Sequence, residues 1–269
     1  MYANDDMLPR PAHLTPDNAA RFKDQSVVEF YPLRLPYPPE VFDILVDLIT
    51  DEPRAVLDVG AGTGDIARGL VRRVERVDAV DFSPTMIAKG KTLPDGDHPG
   101  LRWMHGAVET VALYPPYALI TAGESMHWMN WEVVFPRFGD ALTPGGVVAL
   151  VHRAEVPAPW QEGLDALIRQ FSTMQNYQPF DLIDELEKRD LFQQMGERKT
   201  APVTAAQSID DYIASFHSRS SLSLDHMPAP DAAAFDRQLR DLLSPWSTEG
   251  TLELQTVGSV VWGKPRGHP

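Results

Sequence analysis

The stretch V-L-D-V-G-A-G-T-G-D, Val56 to Asp65, sets Asp58 two residues ahead of three glycines on alternate positions, Gly60, Gly62 and Gly64. Glycines in such a turn let the backbone bend sharply and approach a ligand, while a following helix aims unpaired N–H groups at it. The spacing departs from the G-x-G-x-x-G of dinucleotide sites, because Asp65 stands where that pattern wants its third glycine. A pyrophosphate needs donors without a neighbouring anion; a carboxylate from Asp58 at the mouth of the turn favours a cationic group instead. Asp81 ends the next apolar run, where an acid can accept hydrogen bonds from both hydroxyls of a ribose. Together these residues suit an ammonium-bearing nucleoside, and the same spacing disfavours a nicotinamide-dependent oxidoreductase.

Strand and helix signals alternate around these positions. Apolar runs at Ala55–Val59, Val77–Val80, Leu101–His105, Tyr117–Ala122 and Val147–His152 predict five strands. Helical stripes lie between them: Ile66, Ala67, Leu70, Val71 and Val74 follow the glycine turn, and Ser83 with Pro84 opens another helix. Pro136 predicts a break that leaves Trp131–Val134 as a separate turn, and T-P-G-G at 143–146 reads as a helix stop. Repeated strand-helix-strand units mean a parallel sheet. Beyond Arg153 the pattern turns helical, with E-R-K-T-A-P-V-T read as one strand antiparallel to the C-terminal T-L-E-L-Q-T-V-G-S-V-V-W-G. The expected division is an N-terminal arm and helix over 1–50, a cofactor-binding core over 51–155, and helical cap insertions with the last strands over 156–269.

With V-D-A-V-D-F-S-P-T-M-I, M-H-G-A-V-E, Y-A-L-I-T-A-G-E-S-M-H-W and L-T-P-G-G-V-V-A-L-V following the glycine turn in order, the chain from Ala55 to Arg153 resembles the class I S-adenosylmethionine-dependent methyltransferases. The resemblance implies an α/β, Rossmann-like, seven-stranded and mostly parallel sheet with helices on both faces and an added helical cap. It implies S-adenosyl-L-methionine as cofactor, with Asp58, Gly60, Ala61, Gly62 and Gly64 on the methionyl side and Asp81 on the ribose. Phe82 and Met86 would then flank the adenine. Many relatives carry an Asp after the third strand to receive the adenine amino group; this chain has Ala107, so backbone at Ala107 and Val108 is the expected support.

Methyl transfer needs alignment above all, with a base only for an acceptor that starts protonated. His127, in the segment leaving the fourth strand, is the candidate base, with an acid limb expected near pH 6 to 7; the alternative is a histidine that only holds its loop. Trp128 is expected to shape the acceptor pocket, and Glu124 either to bind cofactor or to polarise His127. Further candidates are Arg34 for the cofactor carboxylate, Tyr31 or Tyr37 as a cover, and Tyr31, His217 and Arg219 for substrate. Y-P-P-Y at 114–117 imitates a motif of amino-group methyltransferases, but it precedes the fourth strand instead of following it.

Composition narrows the partners. The 269 residues with 43% hydrophobic content fit one large α/β domain, and the absence of Cys removes disulfides and thiolate sites. No metal is expected. A formal charge of −14 argues against nucleic acid. Neither a membrane span nor a leader pattern is visible, so a cytoplasmic protein acting on a small-molecule acceptor, by O- or N-methylation, is the expected function. The alternative is a module that binds the same cofactor to sense it or to use it for non-methylating catalysis.

Overall fold

A computed structural model describes residues 10–174 and 178–266. Eight strands form one sheet: β1 Ala55–Val59, β2 Arg76–Asp81, β3 Leu101–His105, β4 Tyr117–Gly123, β5 Leu142–Glu155, β6 Phe192–Lys199, β7 Val203–Ser208 and β8 Thr251–Pro265. Their order is β3-β2-β1-β4-β5-β8-β6, with β7 also paired to β8. The first five strands pair in parallel, and β8 runs antiparallel to β5, β6 and β7. The α/β Rossmann-like fold is therefore present, with one strand more than the seven expected. The extra strand arises because the single strand expected over 197–204 is two, parted at Thr200–Pro202, and the long β8 pairs with both in turn.

Burial explains why the core strands form. Every residue of β1 is buried, and β2 and β4 are buried along nearly their whole length, as strands covered on both faces must be. One face packs on α3 Pro39–Asp47 and α4 Asp65–Leu70 through Ile44, Leu45, Ile66 and Leu70. The other packs on α6 Trp131–Ala141 through Trp131, Phe135 and Phe138. A third core, containing Trp160, Ile213, Phe216, Phe235 and Leu239, joins α7 Gln161–Phe171, α9 Ile209–Phe216 and α10 Ala229–Leu243 into the helical cap.

Two local expectations are corrected. The helix α6 runs unbroken from Trp131 through Pro136: five of its side chains, Trp131, Val134, Phe135, Phe138 and Ala141, are buried on one face, and that packing outweighs the hydrogen bond that proline removes. The helix before T-P-G-G ends at Ala141 as expected, but the strand starts ahead of the motif: T-P-G-G lies inside β5, where the register with β4 shifts and Gly145 N–H donates to Asp51 at 2.6 Å. It is a bulge that re-aims the strand.

The site follows from the strand order. Successive strands turn outward from β1 toward β3 on one side and from β4 toward β5 on the other, so the crevice at the C-terminal ends of β1 and β4 is the topological switch point where ligands bind in open α/β sheets. Over this crevice lies the N-terminal arm, with α1 Pro16–Ala20 and α2 Gln25–Phe30. Arg21 donates to Thr173 at 2.7 Å, Ser26 to Asp225 at 2.6 Å and Arg34 to Ser218 at 2.7 Å, tying the arm to the cap.

Because Pro136 costs α6 a backbone bond without any compensating bond of its own, Pro136→Ala is expected to raise unfolding free energy by about 1–3 kcal/mol. Urea denaturation with an unchanged m-value checks it.

Candidate functional site

The glycine turn is built as its residues require. Gly60, Gly62 and Gly64 have φ of +63°, +57° and +81°, a region that side chains rarely adopt. A Cβ on Gly60 would lie 2.5 Å from Ser125 Cβ, because the β4 exit packs directly on the turn and Ser125 Oγ donates to Val59 O at 2.6 Å. Beneath the turn, Asp58 is 1% exposed and accepts from Thr121 Oγ1 at 2.8 Å and Ala67 N at 3.2 Å. Its carboxylate is thus folded under the turn, not placed at its mouth, and burial pushes its pKa up to about 7.

Asp81 joins the turn to the next strand end. One carboxylate oxygen accepts from Gly62 N and the other from Ser83 N, both at 2.7 Å. Each oxygen keeps a lone pair for a hydroxyl. Asp81, Phe82 and Met86 line a cavity of about 470 Å³ with Gly60, Gly62, Ala107 and Val108, and the arm closes it with Phe22, Lys23 and Tyr31. Lys23 Nζ sits 4.9 Å from the Phe82 ring centre. A cavity of this size, with an acid of spare accepting capacity and a turn stripped of side chains, fits a nucleoside bearing an amino-acid tail.

Two larger spaces adjoin it, of about 1300 Å³ and 690 Å³. Glu124 and Trp128 line all three, and His127 lines the two larger ones. Glu124, at φ +54°, accepts from His152 Nδ1 at 2.6 Å and Arg153 N at 2.8 Å. Burial works to raise its pKa, but the His152 ring and Arg153 hold it below the ordinary value. The same bond raises His152. Trp128 packs edge-on against Phe22 of the arm at 5.7 Å, and its buried Nε1 has no acceptor among the described residues. His127 is anchored through its carbonyl, which accepts from Arg10 at 2.8 Å. Burial lowers its imidazole to about 4, below the pH 6 to 7 at which the acid limb was expected.

The remaining candidates divide. Tyr31 lies over Gly62 on the cofactor side, not among the walls of the larger spaces, and Ala61 lines a small recess with Asp58, Tyr31 and Tyr37. Arg34 is not brought to the glycine turn: Nε and Nη2 are held by Ser218, and its plane stacks on Tyr31 at 4.2 Å. His217, 3% exposed, bonds Leu222 O at 2.9 Å and Asp236 at 2.8 Å and lines none of these spaces; its place is in the cap core. Arg219 does line the 690 Å³ space. Tyr117 of Y-P-P-Y begins β4, at the end away from the site, and donates to the buried Asp78 at 2.8 Å.

Sequence reasoning missed Arg153. It lies near the end of β5, stacks on Tyr37 at 4.6 Å, pairs with Asp65 at 3.3 Å and lines the recess beside Asp58, where Arg34 had been expected to act. Its signal was a cation at a strand end in L-V-H-R-A-E. Phe22, Lys23 and Arg10 carried no local signal, since only the path of the arm brings them over the site.

Residues 56–146 match a family model described as a methyltransferase domain. An uncharacterized methyltransferase of Mycobacterium tuberculosis is 29% identical over 113 residues, 41% of this chain and 56% of that protein. The trans-aconitate 2-methyltransferase of Rhodopseudomonas palustris is 31% identical over 115 residues, 40% of this chain and 42% of that protein. The chain thus spans about half the length of the curated relatives it matches. Among solved structures, a candidate type II methyltransferase from Anaeromyxobacter dehalogenans superposes with a TM-score of 0.62 at 22% identity, covering 87% of this chain and 99% of its own, and shares the fold.

The raised pKa of Asp58 has a definite sign. The folded state holds this proton more tightly than the unfolded chain, so the contribution is fully present below pH 3.8 and is lost as pH rises through about 7. Asp58→Asn, which never ionises, is therefore expected to gain stability relative to the parent between pH 4 and about 7 and to keep a constant difference above. Urea unfolding across that range measures it; a difference independent of pH would contradict the assignment.

Proposed function

We propose, from the match of residues 56–146 to a methyltransferase domain and from the resemblance of Ala55–Arg153 to the class I S-adenosylmethionine-dependent methyltransferases, that the whole chain transfers a methyl group to a small molecule. The observation that carries this reading is the meeting of three cavities at Glu124 and Trp128: a nucleoside-sized space over the glycine turn and two larger ones under the cap. When bound, S-adenosylmethionine supplies the electrophilic methyl. Asp81 would receive the ribose hydroxyls, and Phe82, Met86, Ala107 and Val108 would enclose the base. Gly60, Ala61, Gly62 and Gly64, braced from beneath by Asp58 and with Tyr31 and Arg153 beside them, would hold the amino-acid part. Glu124 is the hinge between donor and acceptor spaces.

What the residues around the acceptor do follows from their protonation. An imidazole with a pKa of about 4 is neutral at pH 7 but a feeble base there, since general-base efficiency peaks when pKa and working pH agree. His127 therefore serves this site by shape and by holding the loop through Arg10. Orientation and exclusion of water by Trp128, Phe22 and the arm supply the rate. An acceptor that is already deprotonated suits such a site best. A protein that binds the cofactor without transferring its methyl is the competing reading.

Incubating the chain with methyl-labelled S-adenosylmethionine and a metabolite extract should yield a labelled product heavier by one methylene unit. Tight cofactor binding with no labelled product would favour the competing reading. His127→Asn is expected to lower kcat by less than about 10-fold, short of the 10²–10⁴ that a general base contributes. The parent's pH–rate profile should also lack an acid limb between pH 5 and 7 that the variant abolishes.

A further inference from the structure

We propose that the acceptor carries an oxyanion, a carboxylate or a phosphate monoester, and that Arg219 with Arg34 receives it in the 690 Å³ cavity; this rests on the methyl-transfer reading of the same site. The argument is a balance of hydrogen bonds along that cavity's walls. Each of its carboxylates already accepts a hydrogen bond. Glu155 accepts from Tyr212 at 2.6 Å, Asp165 from Gln161 at 2.8 Å, and Glu124 from His152 and Arg153 N. The guanidiniums have donors to spare. The Arg219 guanidinium makes no hydrogen bond among the described residues, and its nearest carboxylate oxygen, on Glu155, is 3.9 Å away. Arg34 uses Nε and Nη2 on Ser218 and leaves Nη1 without a partner there. At the cofactor end, Trp128 Nε1 is a buried donor lacking an acceptor among the described residues.

Two guanidiniums with spare donors and one buried indole N–H on a single cavity favour a ligand rich in acceptors: the buried N–H loses most by going unpaired, and the half-exposed Arg219 is open to a partner from solution. Two guanidiniums facing the same space repel each other, and the charge of Arg34 adds to burial in lowering Arg219. An oxyanion between them relieves both and is the group that a planar guanidinium fork binds best. Arg219 is already oriented: its plane stacks on Phe216 at 4.3 Å, and its backbone N–H donates to Phe216 O, closing the turn after α9. The anion at Arg219 would leave the remainder of the acceptor reaching along the cavity to Trp128 and His127, beside the cofactor space.

Calorimetric binding of S-adenosylmethionine and label transfer into an unfractionated extract test the underlying reading. The extract is then divided by ion exchange into anionic, neutral and cationic fractions, each given the labelled cofactor. Label is expected in the anionic fraction; pretreatment with alkaline phosphatase abolishes it for a phosphate monoester and spares it for a carboxylate. With the labelled acceptor purified, Arg219→Gln should raise KM by about 10-fold or more while kcat stays within threefold. Arg219→Lys should fall between, and unchanged calorimetric affinity for S-adenosylmethionine in both variants shows the fold intact. Label confined to the neutral or cationic fraction, or an unchanged KM in Arg219→Gln, overturns the proposal. Cofactor binding with no label in any fraction overturns the transfer reading and this proposal with it.

Discussion

One carboxylate organises the centre of this molecule. Asp81 ends β2 and divides its oxygens between Gly62 N–H on the preceding turn and Ser83 N–H on the next. Bonds from backbone donors to an ionisable group are stronger than those between neutral groups, and these two fix a glycine turn that would otherwise be the loosest part of the sheet edge. The shape of the nucleoside-sized cavity depends on that lock, because Gly60 and Gly62 form its floor and Asp81 its wall. Ser125 secures the same turn from the other side through Val59. The cofactor side of the site is thus preorganised by bonds internal to the sheet.

The acceptor side is made differently. Its walls come from the arm, the β4 exit and the cap, three segments distant in the chain and joined by side-chain bonds such as Arg21 to Thr173 and Ser220. Here the polar groups do not satisfy one another fully among the described residues, as the buried Trp128 Nε1 illustrates. A region that stores unmet donors is built for a ligand more than for stability. The division matches the chemistry proposed: a fixed cradle for a common cofactor and an adaptable chamber for a particular acceptor.

What could be read from the chain beforehand follows the same division. The turn from Asp58 to Asp65, Asp81 and the Ser83 cap are local signals, legible because strand, turn and helix are contiguous. Arg34 misled because Ser218, 184 positions away, captures its guanidinium, and Arg153 was passed over because its partner Asp65 lies 88 residues earlier. His217 was expected at the substrate, but the cap core closes on it. Pro136 was read by its intrinsic preference, which the burial of one helix face overrides. Local propensity located the cofactor cradle; tertiary packing chose the rest.

The arm carries a kinetic implication. Phe22 lines both the nucleoside-sized space and the 690 Å³ chamber, so a single element forms a wall of each. Neither occupant can leave by way of the arm without loosening the enclosure of the other. Departure of the spent cofactor and of the modified product would then be correlated events paced by one opening, whose barrier includes breaking the bonds of Arg21, Ser26 and Arg34 to the cap. On the proposed function, turnover would follow the tempo of the covering segment, however fast the chemistry beneath it.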